Sequence, residues 1–288
     1  MSDIDFLTSM ALRSEERAGI ARARCSAAEL LAKIRDLGPV PRLHLSSEGF
    51  DLITESKLRS PAFGQLCAAD QDDLEQRVTT FAQAGAAAVS VLTEPFCFDG
   101  TLEHLERAAL VLRDHAIPVM RKDFLVDPYQ VLEARVAGAG GVLLILRMLR
   151  PDALGKLFDT AIEQELFVLL EAFDEHDIDA ALRLIELRIG SRSVTSLDSV
   201  VLLGINCRDL VSLEVVPGRL EALAPKLPSW LPRVAESGLT TADDVGRLAA
   251  AGYDLALVGS ALMSGDHPLD LAAQMLTAGR MAKRLSCS

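Results

Sequence analysis

The sequence predicts a (β/α)8 barrel preceded by a short helical extension, and three observations lead to this fold class. From about residue 50 onward, eight short apolar runs alternate with stretches of helical periodicity, a pattern typical of a parallel sheet covered by helices on both faces. A weak internal repeat places a small residue, a glycine and a short gap before a strand in AGAAAVSVLTE, AGAGGVLLILR and AGYDLALVGSA. Eight such units over about 240 residues fit a closed barrel.

An open, doubly wound sheet is the alternative architecture, but the sequence lacks its dinucleotide fingerprint. VAGAGG (136–141) carries two suitable glycines, yet it precedes a strand instead of following one, so we interpret it as a helix-to-strand turn. In such turns the helix is expected to end at a glycine in the left-handed conformation. The predicted strands are FDLIT (50–54), AAVSVLT (87–93), IPVM (117–120), GVLLIL (141–146), FVLL (167–170), VVLLGI (200–205), LPRVA (231–235) and LALVG (255–259).

Residues 1–49 lie outside the repeat and are predicted to form a helical extension that packs on the barrel. EERAGIARARC and SAAELLAKI have the character of two helices, the second with Ser26 as its N-cap. Residues 50–288 are predicted to form the barrel, in a single domain overall. The long connection RIGSRSVTSLDS (188–199) precedes the sixth strand and is therefore expected on the face away from the site.

Composition favours a cytoplasmic protein with a large core. Half of the 288 residues are hydrophobic, and 29 Lys and Arg against 41 Asp and Glu give a net charge of -12, which argues against nucleic acid as a partner. The five cysteines show no CxxC spacing, as expected for free thiols in a reducing compartment. The N-terminus has no signal-peptide pattern, and no apolar run approaches the roughly 20 residues of a membrane span.

Polar side chains follow all eight predicted strands, where barrel enzymes place their active sites. For any single residue, a strand end that simply reaches water is the better interpretation. Eight converging ends favour a shared mouth, in which neighbouring charges shift one another's pKa values, as acid/base catalysis requires. These residues are Glu55, Lys57, Glu94, Arg121, Lys122, Asp123, Arg147, Glu171, Asn206, Arg208, Glu236, Ser237, Gly238, Gly259 and Ser260.

The ends of the last two strands predict a phosphate site. ESG (236–238) and VGSALM (258–263) place Gly238, Gly259 and Ser260 just before helices. Backbone N–H groups at a helix N-terminus attract anions, and glycine permits close approach. Ordinary strand-to-helix turns are the alternative.

Other classes of site are not supported. The five histidines fall at no metal-binding spacing, and no Ser-His-Asp elbow or P-loop is present. We therefore expect no metal site.

The strings at the strand ends resemble the indole-3-glycerol-phosphate synthase family from about residue 50 to 275. ITESKLRSP resembles the family's first-strand motif, and PVMRKDFLVDPYQVLEARVAGA contains its highly specific RKDF and DPYQ. GINCRDL, ESG and VGSALM follow in the same order.

This resemblance implies a (β/α)8 enzyme that acts on 1-(2-carboxyphenylamino)-1-deoxyribulose 5-phosphate. The ring carbon bearing the carboxylate attacks the sugar ketone, and loss of carbon dioxide and then of water gives the indole. The implied reaction requires an acid, a base and anchors for the carboxylate and the phosphate, and it needs no metal and no organic cofactor.

The resemblance also implies roles for individual residues. Lys122 would be the general acid, Glu171 the second acid/base, and Lys57 an electrostatic anchor for an anionic group. The remaining residues would orient and bind the substrate. Glu55 would orient the lysines and the sugar hydroxyls, and Glu236 and Ser237 would close the sugar side. Asn206 and Arg208 would position the anthranilate, with Ser60 nearby, and Phe98 and Phe124 would flank the aromatic ring. Gly238, Gly259 and Ser260 would hold the phosphate. Simple core packing is the alternative for the two phenylalanines.

Some positions depart from the family pattern. Ala62 replaces the second serine of SPS, Cys207 replaces the second asparagine of Asn-Asn, and the 188–199 segment is divergent. A paralog acting on a related aryl-amino-ketose phosphate in specialised metabolism is therefore a second hypothesis. A non-catalytic barrel that binds a phosphorylated ligand is a third.

Overall fold

Eight parallel strands close into a barrel in the computed structural model, which describes residues 5–61, 64–66, 73–189, 201–210, 212–265 and 267–286. This confirms the predicted fold class. The barrel strands are β1 (Asp51–Ser56), β2 (Ala88–Leu92), β3 (Val119–Lys122), β4 (Gly141–Ile145), β5 (Phe167–Ala172), β6 (Val201–Asn206), β7 (Arg233–Glu236) and β8 (Leu255–Val258). A short hairpin, Arg59–Ser60 with Gly64–Gln65, follows β1.

Several strands run further into the charged segments than the apolar runs predicted. β3 was expected at 117–120 but spans Val119–Lys122, and β1 was expected at 50–54 but spans Asp51–Ser56. Lys122 pairs in register with Leu92, and Glu55 with Ser90. The ladder therefore continues past the last apolar residue, because backbone pairing does not depend on side-chain polarity.

The described helices are α1 (Phe6–Arg24), α2 (Ala27–Asp36), α3 (Leu74–Gln83), α4 (Pro95–Phe98), α5 (Leu102–Arg113), α6 (Pro128–Val136), α7 (Pro151–Glu163), α8 (Glu175–Ile189), α9 (Arg219–Leu223), α10 (Ala242–Ala251), α11 (Ser260–Ser264) and α12 (Pro268–Ser286). Gly85, Gly138 and Gly252 have φ of 86°, 86° and 116°. These are the glycines of the three repeated segments, so the repeat marks left-handed helix ends as predicted.

The barrel is filled from inside by alternate side chains of its strands. The interior cluster includes Ile53, Met120, Leu143, Leu169 and Leu202. The other face of each strand packs against the surrounding helices in a second, larger cluster. Because the same alternation continues to the C-terminal strand ends, it brings Lys122, Glu171 and Glu236 to the top of the interior.

The two predicted N-terminal helices are present, and Ser26 caps α2 in a capping box with Glu29. Leu30 of α2 packs against Tyr129 and Leu132 of α6. The following segment brings Leu43 into the interior cluster. The extension therefore packs both on an outer helix and on the barrel interior.

Some expectations concern residues outside the described part of the chain. Residues 190–199 of the long connection are outside the described residues, and so are Ala62, Cys67 and Cys287. Among the described residues, no helix is long and apolar enough to cross a membrane.

We expect Gly141→Ala to lower the stability of the barrel. A Cβ at Gly141 would collide with the ring of Phe167 on the neighbouring strand, and overpacking of this kind costs about 1–3 kcal/mol. Gly246→Ala is the matched control, because its Cβ would lie 3.7 Å from Ala278 in ordinary contact. Chemical denaturation should show a loss for the first variant alone; equal stability of the two variants would contradict the packing argument.

Candidate active site

A cavity of about 380 Å³ opens at the C-terminal ends of the strands. It is lined by all the residues to which the resemblance gives a role: Glu55, Lys57, Ser60, Phe98, Lys122, Phe124, Glu171, Asn206, Arg208, Glu236, Ser237, Gly238, Gly259 and Ser260. The chain therefore brings these side chains to one place, although their individual roles stay predictions.

Lys122 lies among buried carboxylates at the top of the barrel. Its Nζ is 3.1 Å from Oε2 of Glu171 and 3.5 Å from Oε2 of Glu236. Burial alone would disfavour the ammonium, but the surrounding carboxylates outweigh it, Glu171 most strongly, and raise the pKa of Lys122 above its ordinary value. Lys122 is therefore held as a charged proton donor.

Glu236 is a buried carboxylate of this group whose ionised form is disfavoured by its surroundings. Its side chain is 1% exposed, and Oε1 has no hydrogen-bond partner within the described residues. Burial, followed by the charge of Glu171, raises the pKa of Glu236 well above its ordinary 4.5. Gly204 provides the space, because a Cβ there would collide with Oε1 of Glu236. Glu236 can thus lean across β6 toward Glu171.

A second ion pair joins Lys57 and Glu55. Lys57 Nζ donates to Oε1 of Glu55 at 2.6 Å, and both side chains are largely buried. Burial would raise the pKa of Glu55, but the charges of Lys57 and then Lys122 lower it, so this carboxylate stays ionised. Gly259 keeps this space open, since a Cβ there would collide with Glu55 and lie 3.0 Å from Lys57 Nζ.

A buried network behind the rim holds the segment that carries Lys122. Asp123 accepts hydrogen bonds from Thr93 at 2.8 Å and from Arg17 of α1 at 2.7 Å. Arg121 donates to the carbonyl of Gln130 at 2.7 Å and to Thr93 at 3.1 Å. The side chains of Arg121 and Asp123 thus brace the rim, because successive side chains alternate along a strand and these two point away from the side of Lys122.

The loops after β7 and β8 form one end of the cavity. Ser237 and Gly238 adopt consecutive left-handed conformations, with φ of 69° and 74°. Gly259 precedes α11, whose first N–H groups belong to Ser260 and Ala261. Within the described residues, the N–H groups of Gly238, Gly259, Ser260 and Ala261 have no acceptor. Backbone donors of this kind can bind an anion, and the phosphate role expected for this loop pair stays a prediction.

Another part of the cavity lining is aromatic and apolar. The Phe124 ring lies 5.8 Å from that of Phe6 and 6.3 Å from that of Phe98, measured between centroids. Arg208 reaches back to the carbonyl of Leu213 at 2.6 Å, and its N–H donates to Oδ1 of Asn206 at 2.9 Å. A flat aromatic ring with an anionic substituent would fit between these groups.

Sequence reasoning missed several lining residues. Phe6 comes from the N-terminal extension, and Leu210, Leu213 and Val215 come from the loop after β6. The apolar residues just after GINCRD were a signal for the loop, whereas nothing in the sequence distinguished Phe6.

Two strand-end residues expected at the shared mouth lie elsewhere. Glu94 caps α4 by accepting from the N–H groups of Phe96 and Cys97. Arg147 pairs with Asp174 and Asp177. Each is satisfied by a neighbouring loop, so the expectation that every strand end points into the site was wrong for these two. No metal-binding cluster of His, Cys, Asp and Glu occurs among the described residues.

Comparison with known proteins points to one family. A family model described as indole-3-glycerol phosphate synthase matches residues 15–274. A relative with this description from Nocardioides sp. is 39% identical over 245 residues, covering 84% of this chain and 87% of the relative. One from Salinibacter ruber is 36% identical over 238 residues, covering 82% of this chain and 81% of the relative.

Solved structures show the fold alone, at low sequence identity. Thiamine phosphate pyrophosphorylase from Pyrococcus furiosus aligns with a TM-score of 0.56 at 14% identity, covering 82% of this chain and 98% of that one. The 3-hexulose-6-phosphate synthase of Salmonella typhimurium aligns with a TM-score of 0.56 at 12% identity, covering 82% of this chain and 100% of that one.

The raised pKa of Glu236 predicts a pH-dependent cost to stability. Between its ordinary value of 4.5 and its raised folded value, the native state holds the proton more tightly than the unfolded state, so stability falls as pH rises through this window. Glu236→Gln removes this term. The Tm of this variant should therefore rise relative to that of the natural protein as the pH is raised above 4.5.

The matched control for this prediction is Glu103→Gln, on an exposed position of α5. The difference in Tm between this control and the natural protein should not change with pH. A constant difference for Glu236→Gln as well would show that Glu236 titrates normally.

Proposed function

Because the chain belongs to the indole-3-glycerol phosphate synthase family, a carboxy-lyase family of tryptophan biosynthesis that binds a phosphorylated small molecule, we propose that the cavity converts 1-(2-carboxyphenylamino)-1-deoxyribulose 5-phosphate to indole-3-glycerol phosphate. A carbon–carbon bond forms between the carboxylate-bearing ring carbon and the ketone carbon. Carbon dioxide leaves, then water, and the aromatic system is restored.

The observation that carries this proposal is the position of Lys122 between two buried carboxylates. An ammonium at the top of a barrel can protonate the ketone oxygen as the ring carbon attacks. The Glu171 carboxylate, 3.1 Å from Nζ, keeps it charged before the reaction. Glu236 lies 3.5 Å away and is favoured as a neutral carboxyl group, so it can return a proton to Lys122 afterwards. Lys122 is therefore the proposed general acid.

Glu171 is the proposed second acid/base. After decarboxylation, the ring nitrogen supports departure of the new hydroxyl, which leaves as water when it is protonated, and a ring proton must be removed. Glu171 shares Lys122 as a partner, so the pair can pass one proton between them. Glu236 would close the sugar side with Ser237, its raised pKa favouring a carboxyl group that donates to a sugar oxygen.

Lys57 and Glu55, which line the same cavity, would support this chemistry. Their ion pair places a cation that can attract an anionic group of the substrate, while Glu55 fixes its direction. Glu55 is also close enough to Lys122 for their charges to interact. Lys57 and Lys122 thus both interact electrostatically with the carboxylate of Glu55.

The ends of the cavity distinguish the two ends of the substrate. The aromatic wall of Phe98 and Phe124 would receive the ring, with Asn206, Arg208 and Ser60 toward its carboxylate. The unpartnered N–H groups of Gly238, Gly259 and Ser260 would hold the phosphate. This spacing orients the sugar ketone toward Lys122.

Other expectations about the chain stay predictions. They are the division into a helical extension (1–49) and a barrel (50–288) within one domain, a cytoplasmic location, and the absence of cofactor, nucleic-acid and membrane partners.

We expect Lys122→Ala to lower kcat by at least the roughly 10²–10⁴-fold that a positioned acid contributes. The measurement is the rise of indole fluorescence when purified protein is mixed with the substrate. Lys156→Ala, on an exposed position of α7, is the control and should turn over normally. Normal turnover by the Lys122 variant would exclude this mechanism.

We expect inorganic phosphate to inhibit competitively and to raise Tm, because ligand binding to the native state stabilises it. Gly238→Ala should weaken both effects, since Gly238 has φ of 74° and an added Cβ would lie 3.1 Å from Cys207 Sγ. Gly246→Ala again serves as the control. Unchanged phosphate inhibition in the Gly238 variant would move the phosphate site elsewhere.

A further inference from the structure

Cys207 lies directly behind the phosphate end of the cavity. It follows β6 and is 4% exposed. Its Sγ is 3.0 Å from the carbonyl oxygen of Ser237, so the thiol donates a hydrogen bond to that carbonyl. Its own N–H donates to the carbonyl of Glu236 at 3.0 Å. One residue therefore holds two consecutive carbonyls of the loop after β7.

The loop held in this way has an unusual backbone. Ser237 is a non-glycine residue with φ of 69°, and Gly238 follows with φ of 74°. A left-handed conformation is disfavoured for a serine by roughly 1 kcal/mol or more, so it persists where surrounding contacts fix it. The two carbonyl contacts of Cys207 are such contacts, since they lie at the start of this turn.

The thiol contact also sets the direction of a proposed phosphate donor. In a planar trans peptide, the carbonyl of Ser237 and the N–H of Gly238 point in opposite directions. Because the carbonyl points to Cys207, the Gly238 N–H points away from it. Gly238 lines the cavity, and its N–H has no acceptor among the described residues.

The thiol suits a structural donor better than a reactive group. Burial raises the pKa of Cys207, against the opposing charges of Arg208 and Arg219, so sulfur keeps its proton. Cys207 is held on its other side as well, because its carbonyl accepts from the N–H of Val216 at 2.8 Å.

We propose that Cys207 is a positioning residue for phosphate binding: its thiol holds the Ser237 carbonyl and so fixes the Ser237–Gly238 turn that presents backbone N–H groups to the phosphate. This inference rests on the proposed function for the identity of the substrate. It goes further in giving a role to a side chain outside the cavity lining, at a position where the family pattern has asparagine.

The test compares Cys207→Ala, which removes the donor, with Cys207→Ser, which keeps a donor of similar size. Loss of one such bond corresponds to a roughly 3- to 10-fold weaker interaction. We therefore expect Cys207→Ala to raise KM and the inhibition constant of inorganic phosphate by that factor, with kcat within about twofold. Cys207→Ser should restore both constants.

Cys25→Ala, at the turn between α1 and α2, is the control and should match the natural protein. A merely structural role would lower Tm and the active fraction of Cys207→Ala without changing KM. That result, or a serine variant as impaired as the alanine variant, would overturn the proposal.

Calorimetric titration with inorganic phosphate separates this proposal from the proposed function. If the natural protein binds phosphate and Cys207→Ala binds it more weakly, the positioning role is supported whether or not the substrate turns over. If both proteins bind phosphate equally, the positioning role is wrong even when turnover is normal.

Discussion

The ammonium of Lys122, held among buried carboxylates at the top of the barrel, is the interaction on which the rest of the site depends. A lone charge at this depth would be costly, and a lone carboxylate equally so. Together, Lys122 and Glu171 compensate one another, while Glu236 remains the group with a strongly raised pKa. The site thus holds a charged acid beside a carboxyl that burial favours in its neutral form.

This arrangement requires space where the strands are close together. Gly204 and Gly259 leave room for the side chains of Glu236 and Glu55, and an added Cβ at either position would collide with a carboxylate. Gly204 and Gly259 are therefore needed so that the two carboxylates fit at the strand ends. A larger side chain at either glycine would displace a charged group of the site.

The barrel alone does not complete the cavity. Arg17 of α1 pairs with Asp123, the residue next to Lys122, and Phe6 of the same helix packs on Phe124. The loop after β7, which is proposed to hold the phosphate, is supported in a similar way by Cys207 beneath it. At both places, a side chain behind the lining holds the groups proposed to meet the substrate.

The sequence by itself determined the eight-stranded barrel, the left-handed glycine turns and most of the polar residues that line the cavity. These features depend on local periodicity, since alternation along a strand assigns Lys122, Glu171 and Glu236 to the interior without knowledge of their neighbours. The tertiary structure alone decided that Glu94 and Arg147 turn away to nearby loops, that Phe6 reaches the cavity, and that Cys207 holds Ser237. Such contacts join segments distant in sequence or depend on the path of a loop, and a local pattern carries no information about either.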